Sequence, residues 1–104
     1  MSNYQVIKQA ILERKCVTCD YNNYRRKMTP HVLGIKNGRQ QALFYQYGGE
    51  SSSGLSPDPT KNWRCIPIDK IQNLTINGDV FQTAQNHSQT QTCVDEIDVE
   101  IDYV

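Results

Sequence analysis

Arg25-Arg-Lys-Met-Thr-Pro-His-Val-Leu-Gly-Ile35, then Asn37-Gly38, then Gln41-Ala-Leu-Phe-Tyr-Gln-Tyr47 is the stretch that decides how this chain folds. Asn-Gly between two apolar runs is a strong hairpin signal, because both residues accept the positive φ of a tight type I′ turn. The flanking runs are rich in residues that fit a pleated, half-buried surface. Pro30 removes one ladder donor, so it belongs at an edge or a bulge. In an extended strand Arg26, Met28 and Pro30 share one face, and Arg25, Lys27 and His31 share the other.

Toward the N-terminus, Asn22-Asn23 is a turn signal and Cys16-Val-Thr-Cys-Asp-Tyr21 reads as a strand. Ser2 or Asn3 is suited to cap a short helix, about residues 3–14. Its stripe of Val6, Ile7, Ala10 and Ile11 must pack on something, since about three turns are unstable alone in water. Toward the C-terminus, Trp63-Arg-Cys-Ile-Pro-Ile68 reads as a further strand, followed by a helical turn Lys70–Leu74 capped by Asp69. Asn77-Gly78-Asp79 is a turn, and the polar run from Gln82 to Thr92 is a surface connection. Ile97, Val99, Ile101 and Tyr103 alternate with Asp98, Glu100 and Asp102, the pattern of a half-buried strand with an acidic outer face. The expected fold is mainly β: a small β-barrel over about residues 16–81, an N-terminal α-helix laid against it, and an acidic-faced strand at about 94–103. A single domain accounts for all 104 residues.

The connection after Tyr45-Gln-Tyr47 is far longer than a hairpin needs, running through Gly48-Gly-Glu-Ser-Ser-Ser-Gly-Leu55 and two prolines to Asn62. Its hydroxyls, Ser52 among them, and its glycines suit a lid or wall beside a ligand. The charges are unevenly placed. Residues 1–70 hold all eleven Lys and Arg with five acids, and residues 71–104 hold six acids and no base. That permits an anionic partner for the first part, with the acidic tail as an internal counterweight. Mean hydropathy is −0.65 and no run approaches a membrane span. Without a signal-peptide pattern the expected location is cytoplasmic, where Cys16, Cys19, Cys65 and Cys93 would all be reduced thiols.

Cys16-x-x-Cys19 lies within a strand, where an odd spacing sends the two sulfurs to opposite faces, so neither metal nor redox chemistry is expected of it. No P-loop, dinucleotide fingerprint or catalytic triad stands out, and neither enzymatic activity nor a cofactor is expected. The basic run Arg25-Arg26-Lys27 is more informative, because arginine offers a planar fork suited to phosphate or carboxylate. Trp63-Arg64 adds a second aromatic and guanidinium pair at the far end of the long loop. The residues expected to bind an anionic small molecule or nucleic acid are Tyr21, Arg26, His31, Tyr45, Tyr47, Ser52, Trp63 and Arg64. The competing expectation is a protein-interaction module, or a homodimer, that uses exposed strand edges.

The order Cys19-Asp-Tyr21, Arg26-Lys-Met-Thr-Pro30-His31-Val-Leu-Gly34, then Trp63-Arg64-Cys-Ile-Pro-Ile-Asp69-Lys-Ile-Gln-Asn-Leu74 resembles a WYL domain over about residues 6–76. The Trp-Tyr-Leu strand that names the family is replaced by Gln41-Ala42-Leu43. The resemblance implies an SH3-like (Sm-like) β-barrel from a bacterial protein. It also implies sensing of nucleotides or nucleic acid through Arg26 and Arg64, with Tyr21 and His31 nearby. In the family such domains usually follow a helix-turn-helix domain; here a stand-alone, divergent module is expected.

Overall fold

The computed structural model describes residues 2–49, 62–82 and 93–101. In chain order it contains α1 (Asn3–Glu13), β1 (Val17–Tyr21), β2 (Tyr24–Lys36), β3 (Arg39–Gly49), β4 (Trp63–Pro67), a 3-10 turn (Ile68–Lys70), β5 (Gln72–Ile76) and β6 (Glu96–Glu100). Ser52, most of the long loop, the Gln82–Thr92 connection after Gln82, and Tyr103 lie outside the described residues.

Two Asn-led turns set the register of the first three strands. Asn37 and Gly38 take φ values of 52° and 79°, and Lys36 pairs directly with Arg39. Asn22 and Asn23 do the same at 52° and 66°, bringing Tyr21 opposite Tyr24. Asparagine tolerates the left-handed region because its short polar side chain bonds locally, and the resulting turn matches the right-handed twist of the strands.

All strand pairs are antiparallel, in the order β4-β3-β2-β1-β5, with β6 added to β2. The path ends at β4 and β5, so pairing among the described strands does not close a barrel. β2 is long enough to serve two neighbours on one side. Its first part pairs with β1 as far as Met28, and its last part pairs with β6 from Val32 to Ile35. Pro30 falls in the gap between them, beside a register shift against β3 that falls between Pro30 and Val32. The missing N–H therefore sits at a bulge, as its chemistry requires.

α1 is capped by Ser2, whose side-chain oxygen accepts from the Gln5 N–H at 3.2 Å. Ile7, Ala10 and Ile11 bury against Val17, Cys19, Met28, Leu33, Ala42, Phe44 and Ile66. Asn3 Nδ2 ties the helix start to the Ile71 carbonyl at 2.9 Å. The helical turn expected at Lys70–Leu74 is instead the three-residue turn Ile68–Lys70, and Gln72–Ile76 forms β5 against β1. One isolated turn satisfies few backbone groups; pairing with β1 satisfies more and packs Leu74 and Ile76 on the core.

The opposite face of the sheet carries a smaller cluster of Val32, Leu43, Cys93 and Val94. Here the expectation of four reduced thiols is corrected: Cys65 and Cys93 form a disulfide, while Cys16 and Cys19 are free and buried. Spacing of 28 residues hides this pair in the sequence; it is made by the chain crossing back over β3. The last strand also departs from a simple half-buried pattern. Ile101 is buried and Val99 partly so, but Ile97 is 48% exposed. Asp98 is drawn to the helix, where the Tyr4 hydroxyl donates to it and Lys8 Nζ lies 3.4 Å away. Among the described residues no helix is long and apolar enough to cross a membrane.

Candidate anion-binding site

Arg26 is the feature of the fold that most needs explaining. A lone charge is costly to bury, yet its side chain is 4% exposed. Its Nη1 donates to the Gln46 Oε1 at 3.2 Å. Its guanidinium carbon lies 5.0 Å from the Tyr21 ring centre and 5.9 Å from that of Tyr24, both within cation–π range. Its Nε is buried with no hydrogen-bond partner. The ion pairs among the described residues leave Arg26 without a carboxylate. Burial, and then the positive charge of Arg64, pull its pKa below the usual 12.5. It stays protonated near neutrality all the same.

The strand register assembles this arrangement. Arg26 pairs with Cys19 of β1 and Gly49 of β3, Met28 pairs with Gln46, and Phe44 with Arg64. Cross-strand partners share a face, so Arg26, Gln46 and Arg64 continue the face that carries Met28 and Phe44. Gly49 makes the close approach possible: at φ 80°, a Cβ there would stand 2.3 Å from the Arg25 carbonyl oxygen. Gln46 is held in turn by donating from Nε2 to the Gly48 carbonyl at 3.1 Å, and its backbone N–H bonds the Asn62 carbonyl at 2.9 Å. Arg64 is half-buried, with Nη1 donating to the Trp63 carbonyl at 3.2 Å. Cys19, opposite Arg26, has its thiol pushed up to about 11 by burial, against the pull of the arginine, so it remains protonated.

The other expected residues gather elsewhere. His31 is fully buried, its Nδ1 2.8 Å from the Thr29 carbonyl. It stacks edge-on to Trp63 at 4.8 Å between ring centres, and Tyr45 meets the same Trp63 at 5.3 Å. Phe81 completes this aromatic group 5.7 Å from His31. Trp63 and Arg64 are neighbours on one strand and so face opposite ways, which separates the aromatic group from the arginines. Tyr47, at a register shift of β3, donates to Asp79 at 2.5 Å and accepts from Asn77 Nδ2 at 3.1 Å. Burial and the Asp79 carboxylate raise its pKa. Tyr21 alone of the expected aromatics lies on the arginine. Two participants went unrecognised in the sequence, Tyr24 and Gln46. Gln46 had a signal, a polar residue in step with the apolar Ala42 and Phe44.

No family model matches this chain, and neither a curated protein nor a solved structure shows significant similarity to it.

Proposed function

We propose that this protein is a non-catalytic binding module that recognises an anionic ligand, a nucleotide or nucleic acid, through Arg26 supported by Arg64. The observation that carries the reading is the buried guanidinium of Arg26. It has one amide acceptor, an orphaned Nε and a second arginine close enough to lower its pKa. With Nη1 engaged by Gln46, the Nε–Nη2 edge makes no hydrogen bond to a described residue. That edge is the one a phosphate or carboxylate meets with two parallel hydrogen bonds. A bound oxyanion would supply the missing acceptor and countercharge together. The likeness to WYL domains, with their SH3-like barrel, belongs to the same proposal, as does a cytoplasmic location. In a reducing cytoplasm the Cys65–Cys93 bond would be a reversible one.

The test is a thermal-shift comparison at low salt using inorganic phosphate, ATP and a mixed-sequence single-stranded oligonucleotide. At least one probe raises the wild-type melting temperature by several degrees and leaves Arg26→Ala/Arg64→Ala unmoved, while far-UV circular dichroism shows both proteins folded. The proposal fails if no probe stabilises the wild type, or if the double variant responds equally. Binding of a polypeptide that is insensitive to salt would favour the protein-interaction reading instead.

A further inference from the structure

β6 lies off the main path of the sheet. Its backbone is anchored by pairing with β2 and by two flanking bonds, from the Asp95 N–H to the Ile35 carbonyl at 3.0 Å and from the Ile101 N–H to the His31 carbonyl at 2.7 Å. Most of the strand is exposed. Immediately before it, Cys93 and Val94 cross the outer face and cover Val32 and Leu43. The crossing is tight: a Cβ on Gly34 would stand 2.0 Å from the Glu96 carbonyl oxygen and 2.5 Å from Val94 Cγ1. Gln41 Nε2 donates to the Cys93 carbonyl at 2.9 Å. The covalent link from this crossing segment to the sheet is the bond from buried Cys93 to Cys65 on β4, and Cys65 is exposed.

We propose that the Cys65–Cys93 cystine is a reducible latch. Its cleavage by a dithiol reductant frees residues 93–101 from the sheet and bares the β2 edge at Val32–Ile35. A thiolate of the dithiol attacks Sγ of the exposed residue Cys65, the Cys65–Cys93 bond breaks, and Cys93 leaves as a thiolate that takes up a proton. The second thiol of the reductant then attacks the mixed disulfide and releases Cys65, which is protonated in turn. Two electrons and two protons pass to the cystine, and the reductant ends as a disulfide. Exposure at Cys65 makes the first step accessible without unfolding. Once the closure is lost, the crossing segment keeps only non-covalent ties: the short strand pairing with its two flanking bonds, the Gln41 bond to the Cys93 carbonyl, the packing of Val94 and Ile101, and the ion pairs of Asp95 and Asp98. The carbonyls of His31 and Ile35 lose their β6-side partners, leaving an unpaired strand edge of the kind that accepts another strand.

Peptide-resolved hydrogen exchange on the full chain, with and without dithiothreitol, tests this. On reduction, residues 94–101 exchange at least about tenfold faster, while α1, β1 and the centre of β3 change by less than about twofold. Cys65→Ser/Cys93→Ser reproduces the reduced pattern without reductant. Unchanged protection at 94–101 would overturn the proposal. So would uniform acceleration over the whole chain, which would make the cystine a general staple. Absence of a two-hydrogen mass difference between oxidised and reduced protein would overturn it as well.

Discussion

On the proposed function, Arg26 is kept for binding at some expense to stability, and that has a direct consequence. Even buried ion pairs can often be replaced by apolar side chains of similar volume at no cost to stability, and a buried charge without a countercharge is costlier still. Arg26→Met is therefore expected to hold or raise the urea midpoint while removing anion binding. A loss of more than about 2 kcal/mol would mark Arg26 as structural. The basic run in the sequence pointed to this residue, because an arginine in step with Met28 on an apolar face stands out. Its surroundings were less legible. Tyr24 reaches it from the β1–β2 turn and Gln46 through the β2–β3 register, which shifts at Tyr47 without a local residue that announces it. His31 illustrates the opposite case. The sequence puts it among the residues expected to bind an anion, but the bulge beside Pro30 places it in an aromatic group with Trp63.

Among the elements, the Asn37-Gly38 hairpin and α1 were the most legible, since each is specified by local chemistry. Gly38 has open space around it and a φ of 79°, so Gly38→Ala is expected to cost about 1 kcal/mol through backbone strain alone, measured by urea unfolding, with binding intact. β5 was harder to read because Gln72–Ile76 becomes a strand only by pairing with β1. β6 is also tied to α1 through Asp98. The Tyr4 hydroxyl and the Lys8 ammonium hold the Asp98 carboxyl below its ordinary 3.8, while burial and Asp98 raise Tyr4 to about 12. The contribution of Asp98 is thus present above 3.8 and lost as pH falls through its lower folded-state value. That of Tyr4 is present below its ordinary value of 10 and lost as pH rises from 10 toward 12. Urea unfolding should show Asp98→Asn less stable than wild type near neutrality, with the difference vanishing at pH values well below 3.8. A difference that persists unchanged in strong acid would contradict this account.

For the molecule as a whole, the sequence placed its bases early and its acids late, and the fold brings two of those acids back to the basic part. Asp95 meets Lys36 at 3.1 Å and Asp98 meets Lys8 at 3.4 Å. The cystine was the least legible feature, because Cys65 and Cys93 meet only once the chain has crossed the outer face of the sheet. Alkylation in denaturant followed by mass spectrometry should find two reactive thiols without reductant and four with it. In the native protein Cys16 and Cys19 should label slowly, since both are buried. The proposed function turns on Arg26 as the group that would hold the anion. Its most direct measurement is the affinity for a fluorescent mixed-sequence single-stranded oligonucleotide across a salt series, for wild type and Arg26→Met. Wild-type binding should weaken steeply with salt, and Arg26→Met should bind more weakly, with a log–log slope shallower by about 1. Equal affinities and equal slopes for the two proteins would contradict it.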